Sequence, residues 1–379
     1  MAKILTFADY HLGTRTYGSI DPETNLNTRE LSMLKILDEM IDYAIDNEVE
    51  FIIAAGDMYK NNMPSPTIQN QFFKRIKRAA DNDIDVLILD GNHDVGKMEN
   101  SKSATAAMDT LDIKNIHHRK FFDCKCLWSN KDEKYYQFVF LPTYHTREEI
   151  EDIVENRVEY DEQTIFIGHM TIQGALLNDW LIEDKEVFIN ASIFDKPNVL
   201  AVVLGHLHKH QVLSYNPLVY YTGSTDRIDF TEEKQPKGFV VLDINDDRVN
   251  YEFVEVNAQK FYTGKFEFED ESAATSIIID KLRMDSEEIE NAIVRIKINL
   301  DESTVINDKE IYEVLNELNP CSVLNLQKIY NYSENTRNSQ LSEGVSIQKS
   351  LELYYEGKPR EKERINLGKE IINYVENNL

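Results

Sequence analysis

Roughly the first 255 residues alternate short apolar segments with helical ones, and this alternation is the feature that most restricts the fold. Leu34, Leu37, Ile41 and Ile45 recur at helical spacing, which predicts a helix between the first two apolar segments. Strands alternating with helices are typical of an α/β layered fold. The predicted strands are 4–7, 51–55, 86–89, 136–141, 164–167, 199–204 and 239–244.

A second, smaller α/β pattern begins at about residue 260. Its predicted elements are a strand at 265–268, a helix at 272–283, a strand at 292–300, a helix at 308–318 and a strand at 322–330. A polar linker follows, and then come two short helices, 346–355 and 360–378, separated by Gly357, Lys358 and Pro359. We therefore predict a main domain at 1–258, a small domain at 259–330, a linker at 331–344 and a helical tail at 345–379.

Charge and cysteine content exclude several classes of protein. Forty-one Lys and Arg against 67 Asp and Glu give 41 − 67 = −26, which argues against generic binding to anionic polymers. Three cysteines are too few for a disulfide framework and fit a reducing compartment. The chain begins without an apolar signal segment, and no stretch reaches the ~18 apolar residues of a membrane span. We expect a cytoplasmic protein with no membrane association.

Five of the predicted strands are followed at once by side chains that bind metals. Because loops at the carboxyl ends of strands converge in open α/β sheets, we expect these side chains to meet in one site. A lone histidine at a strand end is usually an ordinary turn residue, but five such ends in one chain indicate a metal centre. The segments are Asp9-x-His11, Gly56-Asp57, Gly91-Asn92-His93-Asp94, Gly168-His169 and Gly205-His206-Leu207-His208.

Carboxylate and imidazole ligands on rigid strand ends suit two divalent ions about 3.5–4 Å apart. Alternation in Asp9-x-His11 and His206-x-His208 predicts that both side chains of each pair lie on one side of an extended backbone. The neighbouring glycines leave room for sharp turns of the backbone. Since the set lacks cysteine, it favours manganese, iron or magnesium over structural zinc.

These motifs, in this order, resemble those of the calcineurin-like metallophosphoesterases. Further segments resemble one branch of that family, the SbcD-type DNA-repair nucleases, which are counterparts of the meiotic recombination nuclease. The resemblance is strong over residues 1–255 and only architectural beyond 260. It implies a layered β-sandwich flanked by helices, with 259–330 as a capping domain. The branch-specific segments are Asp9-Tyr10-His11-Leu12-Gly13, Gly56-Asp57-Met58-Tyr59 with Pro64-Ser65-Pro66, and Tyr221-Thr222-Gly223-Ser224 with Arg227 and Phe230.

Carried onto matching positions, the family pattern makes Asp57 a carboxylate shared by two metal ions, most consistent with Mn²⁺. His93 is left without a metal and would stabilise the transition state or protonate the leaving oxygen as a general acid. The resemblance places Asp9, His11 and His208 on one ion and Asn92, His169 and His206 on the other.

One position departs from the family pattern. Where relatives commonly place a His or Asp that orients the catalytic histidine, this chain has Lys60, whose ammonium cannot accept a hydrogen bond. Asp94 is a substitute candidate for orienting His93. Lys60 itself, together with Arg15 and Arg227, is a candidate contact for the phosphates of a substrate.

The resemblance implies an exonuclease or endonuclease that acts on DNA ends or hairpins in recombination or repair. It also implies a homodimer and a partner, an SbcC-type coiled-coil ATPase bound through 345–379. Two short tethered helices can bury little apolar surface against each other, so a groove on a partner is their expected binding site. Two alternatives stay open: a metallophosphatase or cyclic-nucleotide phosphodiesterase, and a non-catalytic scaffold that binds DNA ends.

Overall fold

The structure is a computed structural model that describes most of the chain. It divides into two compact units, one of 1–264, 282–295 and 313–325 and the other of 265–281, 296–312 and 326–379. The predicted domain boundary at 258/259 stays a prediction, and the predicted linker 331–344 lies, beyond Asn331, outside the described residues. The described residues are 1–96, 102–111, 113–143, 146–177, 180–181, 189–245, 248–268, 273–301, 304–331, 346–355 and 361–378.

The described residues form these strands and α-helices in chain order. The strands are β1 (Ala2–Phe7), β2 (Phe51–Ala55), β3 (Asp85–Leu89), β4 (Ile116–Arg119), β5 (Asp123–Ser129), β6 (Lys134–Phe140), β7 (Gln163–His169), β8 (Leu176–Leu177), β9 (Trp180–Leu181), β10 (Val199–Gly205), β11 (Gln211–Tyr215), β12 (Leu218–Tyr221), β13 (Gly238–Asn245), β14 (Arg248–Glu255), β15 (Lys260–Phe266), β16 (Ala292–Asp301), β17 (Ser322–Val323) and β18 (Gln327–Asn331). The helices are α1 (Thr28–Asp46), α2 (Pro66–Ala80), α3 (Ala107–Leu111), α4 (Arg147–Asp152), α5 (Ala274–Met284), α6 (Ser286–Ile289), α7 (Asp308–Glu317), α8 (Ile347–Tyr355) and α9 (Glu361–Asn378).

Two six-stranded sheets form the main body of the first unit. The first has the order β14-β13-β1-β2-β3-β4. Strands β1 to β4 are parallel to one another, β13 is antiparallel to β1, and β14 is antiparallel to β13. The second has the order β11-β12-β10-β7-β6-β5, in which β12, β10, β7 and β6 are parallel. Parallel strands with both faces covered are apolar along their whole length, which is why the sequence shows them so clearly.

Alternating residues of the strands supply the cores on the two faces of the first sheet. In β2, Phe51 and Ile53 belong to a cluster that also includes side chains of the second sheet, whereas Ile52 and Ala54 pack with residues of α1 and α2. A third cluster covers the outer face of the second sheet. The predicted layered β-sandwich flanked by helices is therefore confirmed.

Helix α1 begins with two hydrogen bonds between side chains and main-chain amides. The side chain of Asn27 accepts a hydrogen bond from the Arg29 N–H at 3.0 Å, and Glu30 accepts one from the Asn27 N–H at 3.3 Å. This reciprocal pair satisfies amide groups that the first helical turn leaves without partners. Its apolar residues Leu34, Leu37 and Ile41 are buried against the first sheet, as their spacing predicts.

Five strands of the sandwich, β4, β5, β11, β12 and β14, escape sequence analysis. Four of them have polar or mixed patterns, and β12 has only four residues. β4 contains His117 and His118, and β5 contains two cysteines and a lysine. β4, β5, β11 and β14 are edge strands of their sheets, so among the described residues one side of each has no neighbouring strand. β12 is short and fully buried.

The elements predicted beyond residue 260 are also present, with two corrections. The predicted strand 265–268 corresponds to β15, which begins five residues earlier, at Lys260, and ends at Phe266. The predicted strand 322–330 is two strands, β17 and β18, both parallel to β16. The predicted helices at 272–283 and 308–318 correspond to α5 and α7, and the predicted tail helices correspond to α8 and α9. Among the helices of the described residues, none is long and apolar enough to cross a membrane.

Candidate metal centre

The sequence-predicted ligands come together at the carboxyl ends of five strands. The loops after β1 and β2 are joined by main-chain hydrogen bonds, from the Asp9 N–H to the Gly56 carbonyl and from the His11 N–H to the Asp57 carbonyl, both 3.0 Å. Such bonds fix the loops on which the ligand side chains stand. Asp9 and His11 follow β1, Asp57 follows β2, Asn92 and His93 follow β3, His169 ends β7, and His206 and His208 follow β10.

Several of these residues have a left-handed backbone. The φ angles are 50° at Asp9, 48° at His11, 58° at Asp57 and 98° at His206. The prediction that alternation along an extended backbone aligns Asp9 with His11, and His206 with His208, is therefore wrong, since each pair contains a left-handed residue. Left-handed conformations cost energy in residues other than glycine and cluster at functional sites, where the surrounding structure enforces them.

Asp57 lies at the centre of the cluster. Its Oδ2 is 3.4 Å from His169 Nε2, 3.7 Å from His11 Nε2 and 3.9 Å from His93 Nε2. Its Oδ1 accepts a hydrogen bond from the His93 N–H at 2.8 Å. One buried carboxylate therefore faces imidazoles from three other strand ends.

The other ligand candidates form two groups around Asp57. On one side, the Nε2 atoms of His11 and His208 lie 3.1 Å apart. Asp9 joins these two histidines, and the three residues offer ligand atoms that all lie within 4.8 Å of one another. On the other side, Asn92 Oδ1 is 3.1 Å from His169 Nε2 and 3.3 Å from His206 Nδ1. These groups have the same members as the two predicted ligand sets, whose metal-binding role stays a prediction.

The electrostatics of the cluster favour positive charge. Burial alone would lower the pKa of His169, but the Asp57 and Asp9 carboxylates raise it to about 10. Burial likewise opposes ionisation of Asp57, yet His169 and His11 hold the pKa of its carboxyl well below the usual range. Burial lowers the pKa of the His11 imidazole well below its usual range, which disfavours its protonated form.

The donor set also fits divalent ions. Within the described part of the chain, the buried Nδ1 of His11 has no hydrogen-bond partner. Its Nε2 faces His208 Nε2 at 3.1 Å, and Asp9 and Asp57 add carboxylate oxygens. Carboxylate, amide oxygen and neutral imidazole are ligands that transition metals accept.

The motif glycines are needed for close approach. A Cβ on Gly91 would lie 2.1 Å from Asp57 Oδ1, and one on Gly56 would lie 2.2 Å from His169 Nδ1. Gly205 is equally restricted, since its Cβ would lie 2.2 Å from the Ala55 carbonyl oxygen. Of these three, Gly56 alone has a positive φ, 93°, so the predicted sharp turn applies there and crowding explains the other two.

Replacing Gly91 by alanine is expected to displace Asp57 and weaken metal binding. The added methyl group has no room beside Asp57 Oδ1 and N, so we expect a loss of about 1–3 kcal/mol in the free energy of unfolding, typical of overpacking. Thermal unfolding and Mn²⁺ titration measure the two effects. Gly174→Ala is the control, because its Cβ would meet no described residue within 4 Å and its φ of 90° costs only backbone strain. Unchanged metal affinity in Gly91→Ala would contradict this account.

His93 also lies within metal-binding reach of His11 and Asp57, but its side chain is more exposed than those of His11, His169 and His208. Its side chain is 39% exposed, whereas those of His11 and His169 are 2% and 0% exposed. Its Nδ1 is 2.9 Å from the main-chain oxygen of Lys60. The interpretation of Asp94 as the group that orients His93 is wrong. The main-chain oxygen of Lys60, the residue that departs from the family pattern, takes that role.

Asp94 instead fixes the loops that hold the cluster. Its carboxylate accepts hydrogen bonds from the N–H groups of Met58, Tyr59 and Gly91, at 3.1, 2.9 and 2.9 Å. It therefore ties the loop after β3 to the loop after β2.

The three predicted substrate contacts have different surroundings. Arg15 Nε donates to Glu30 at 2.7 Å and its side chain is 58% exposed. Lys60 lies close enough to His11 to lower the pKa of that imidazole. The Arg227 guanidinium donates to the main-chain oxygens of Gln235 at 2.9 Å and Gln259 at 3.1 Å, so its geometry favours a structural role. Substrate contact by these residues stays a prediction.

Sequence analysis missed Glu232, which contacts His208 from outside the cluster. The Oε1 of Glu232 is 2.7 Å from His208 Nδ1, and 4% of Glu232 is exposed. Burial opposes ionisation, but His208 and Lys237 lower the pKa of Glu232 to about 2. No local sequence pattern indicates that Glu232 contacts His208, because the two residues are 24 positions apart in the chain.

Comparison with known proteins identifies the family. The sequence profile of the calcineurin-like phosphoesterases matches residues 2–210, more than half of the 379 residues. The chain belongs to the calcineurin-like phosphoesterase family. A centre of two metal ions is characteristic of this family, and the clustered Asp and His side chains are its candidate ligands here.

Within this phosphoesterase family, the chain is similar to two kinds of curated protein. It is 24% identical over 276 residues to the DNA double-strand break repair protein Mre11 of Methanocaldococcus jannaschii, covering 66% of this chain and 68% of the relative. It is 26% identical over 274 residues to the SbcD component of the nuclease SbcCD of Staphylococcus epidermidis, covering 66% and 69%. These relatives bear out the resemblance to SbcD-type nucleases.

Solved structures also align with the chain at low similarity. The protein TT1561 of Thermus thermophilus is 11% identical with a TM-score of 0.38, covering 66% of this chain and 98% of that one. A dimetal phosphatase from Danio rerio is 8% identical with a TM-score of 0.39, covering 66% and 95%. The family assignment rests on the sequence profile and not on these structures.

Proposed function

We propose that the chain is a nuclease that hydrolyses phosphodiesters of DNA with two divalent metal ions held around Asp57. The observation that carries the proposal is the convergence of metal-binding side chains from five strand ends on one carboxylate, beside a partly exposed histidine. The names of the relatives, a DNA repair protein and a component of a nuclease, support DNA as the substrate.

The ligand roles follow the two groups of side chains. Asp57 would be shared by both ions, and manganese suits a set rich in imidazole better than magnesium, which prefers oxygen ligands and retains its waters. When bound, such an ion pair lowers the pKa of a water molecule and neutralises charge on the phosphate. Asp9, His11 and His208 would hold one ion, and Asn92, His169 and His206 the other.

His93 acts as the general acid in this proposal. With its Nδ1 proton donated to the Lys60 carbonyl oxygen, the ring is fixed and Nε2 is directed towards the cluster, 3.9 Å from Asp57 Oδ2. A protonated Nε2 gives its proton to the leaving oxygen of the substrate. The 39% exposure of this side chain gives a substrate access that the buried ligands lack.

An acidic chain requires a local source of positive charge to bind DNA. The net charge of −26 disfavours contact with phosphates, which supply most non-specific DNA affinity. Two divalent ions place four positive charges at the site itself. Arg15 and Lys60 are the candidate side-chain contacts near it. Action on DNA ends or hairpins, as exonuclease and endonuclease, completes the proposal.

Purified protein is expected to cleave labelled DNA in Mn²⁺, more slowly in Mg²⁺, and not in chelator. The reason is that the ligand set supplies imidazole and carboxylate without thiolate. A gel assay with single-stranded, blunt duplex and hairpin DNA, run beside a chromogenic phosphodiester and a phosphomonoester, measures this. Cleavage of the phosphomonoester alone would favour a metallophosphatase, and DNA binding without any cleavage would favour a scaffold. Either result would contradict the proposal.

The helical tail is proposed as the binding site for an SbcC-type ATPase. Helices α8 and α9 contact each other: Glu352 pairs with Lys369, and the Leu351 side chain packs against Gly368. Apolar side chains on both helices nevertheless stay exposed, including Ile347 at 66% and Leu367 at 60%. We propose that the partner covers them. A homodimer and a cytoplasmic location, both expected from sequence, stay predictions.

Deleting 345–379 is expected to abolish co-purification with the ATPase. Cleavage of a small chromogenic phosphodiester should persist, because the metal centre lies in the other unit, 1–264 with its associated segments. Pull-down and turnover assays measure the two outcomes. Unchanged binding of the ATPase by the truncated protein would refute this role for the tail.

A full-length point variant gives the sharper test of the same surface. Leu367→Glu places a charge on the exposed apolar face of α9 and should weaken binding by about tenfold or more, the scale of one interface contact worth over 1 kcal/mol. Val305→Glu is the control, since Val305 is 89% exposed and lies outside the tail. Equal binding by the two variants would place the interface elsewhere.

A further inference from the structure

Glu232 supports His208 from the side opposite the metal centre. It ends a short 3₁₀ helix, Phe230–Glu232, and its carboxylate is buried. The Oε1 atom lies 2.7 Å from His208 Nδ1. His208 Nε2, at the other end of the ring, lies 3.1 Å from His11 Nε2 inside the cluster. One imidazole therefore connects a buried carboxylate to the centre.

The other oxygen of Glu232 is held by a buried lysine. Lys237 Nζ is 2.7 Å from Glu232 Oε2 and its side chain is 0% exposed. The same ammonium donates to Ser224 Oγ at 2.7 Å and to the His208 main-chain oxygen at 3.0 Å. The Ile228 N–H donates to Glu232 Oε2 at 3.1 Å. Lys237 thus fixes both the carboxylate and the backbone of the histidine that the carboxylate contacts.

The segment that carries Glu232 is itself anchored. Asp226 Oδ1 accepts hydrogen bonds from the Arg227 N–H at 2.8 Å and the Gln259 N–H at 2.9 Å. Its Oδ2 lies 3.3 Å from Arg29 Nη1, and both side chains are fully buried. A carboxylate on such a segment has little freedom to move away from His208.

This geometry determines which ring nitrogen of His208 carries the proton. An ionised carboxylate can only accept, so the proton of a neutral His208 lies on Nδ1 and the lone pair on Nε2. Histidines that bind metals commonly donate their second N–H in this way, which fixes the tautomer and makes the ligating nitrogen more basic.

The two halves of the centre are not supported alike. His169 Nδ1 is 3.0 Å from the Ala55 main-chain oxygen, which is a neutral acceptor. His208 Nδ1 faces a full carboxylate. A charged acceptor makes the stronger hydrogen bond and donates more electron density through the ring.

We propose that Glu232, held by Lys237 and Ser224, is a positioning residue that fixes the Nδ1–H tautomer of His208. By doing so it raises the metal affinity of the Asp9, His11 and His208 half of the centre selectively. The second part of this inference rests on the proposed function, because it requires that the cluster bind two ions. The first part concerns the metal-free protein and does not.

The test compares full-length Glu232→Gln and Glu232→Ala with the control Glu233→Gln. Glu233 is the adjacent residue and loses the same charge, but its carboxylate accepts from the Thr263 N–H and hydroxyl, at 2.8 and 2.6 Å, and not from His208. Histidine ¹⁵N NMR of the metal-free chain, with His208 assigned by its own substitution, reports the tautomer. Titration with Mn²⁺ reports the affinity for each ion.

In the wild-type protein and in Glu233→Gln we expect His208 to be protonated at Nδ1 and two ions to bind. In both Glu232 variants the ¹⁵N signature should shift, and one of the two ions should bind roughly 10–100-fold more weakly while the other is unaffected. Should Glu232→Ala fail to fold, the near-isosteric Glu232→Gln decides. Glu232→Asp, which keeps the carboxylate, should restore part of the affinity.

Three results would overturn the inference: an unchanged His208 signature in Glu232→Gln, equal weakening of both ions, or the same loss in Glu233→Gln. If the wild-type protein binds no Mn²⁺ at all, the proposed function fails instead. The tautomer measurement on the metal-free chain then still tests the role of Glu232.

Discussion

Replacing His93 by alanine is expected to lower turnover of a DNA phosphodiester by roughly 10²–10⁴-fold while both metal ions stay bound. The imidazole lies beside the cluster, with Nε2 3.9 Å from Asp57 Oδ2, and 39% of the side chain is exposed. A group in that position can reach a substrate without being needed to hold a metal. Its loss removes proton transfer to the leaving oxygen and leaves the ligands in place.

The measurement pairs steady-state turnover with metal content of the purified variant. His117→Ala is the matched control, because its imidazole contacts Asp85 at 2.7 Å and lies outside the cluster. A substrate whose leaving group needs no proton should be affected much less by His93→Ala, which separates acid catalysis from binding. If His93→Ala is the variant that loses metal, His93 is a ligand and the assignment of roles fails.

Replacing Asp57 is expected to remove metal and activity together. The carboxylate lies within 3.4–3.9 Å of His169, His11 and His93, and it would be shared by both ions. Without it the cluster loses the charge stabilisation that a metal pair supplies, which is worth several kcal/mol. The expected fall in turnover is therefore about 10³-fold or more.

Asp57→Asn and Asp57→Ala together distinguish charge from packing. The amide oxygen introduced by Asp57→Asn can still accept the His93 N–H that Asp57 Oδ1 accepts at 2.8 Å, so the loop after β3 should keep its position. We expect both variants to lose Mn²⁺ in titrations, and Asp57→Asn to retain more of the thermal stability. Retention of two ions by Asp57→Asn would show that this carboxylate does not join them.

The sequence indicated the sandwich because its central strands are parallel and covered on both faces. β2 is an unbroken apolar run, β3 is apolar from Val86 to Leu89, and the buried residues of α1 recur at helical spacing. The same reasoning missed β5 and β14. Both lie at the edges of the sheets, where polar side chains are tolerated because the strands are only partly covered. Local patterns report burial, and these strands are only partly buried.

The cluster itself was accessible from sequence for a similar reason. A strand end followed by Asp, His or Asn is a local signal, and the carboxyl ends of parallel strands meet at one edge. Recognition of the family motifs then separated His93 from the ligand candidates. The local reasoning was wrong about the backbone conformation, since Asp9, His11 and His206 are left-handed and not extended.

Only the tertiary structure decided which groups contact the imidazoles of the cluster from outside it. Glu232 reaches His208 across 24 positions, the Lys60 carbonyl reaches His93 across 33, and the Ala55 carbonyl reaches His169 across 114. Two of these groups are main-chain oxygens, which every residue has, so no side-chain pattern could indicate them. The sequence by itself determined which candidate ligands follow the strand ends, because the buried strands are recognisable in it as apolar runs. Which group lies behind each imidazole depends on how distant loops pack, and that packing leaves no local trace.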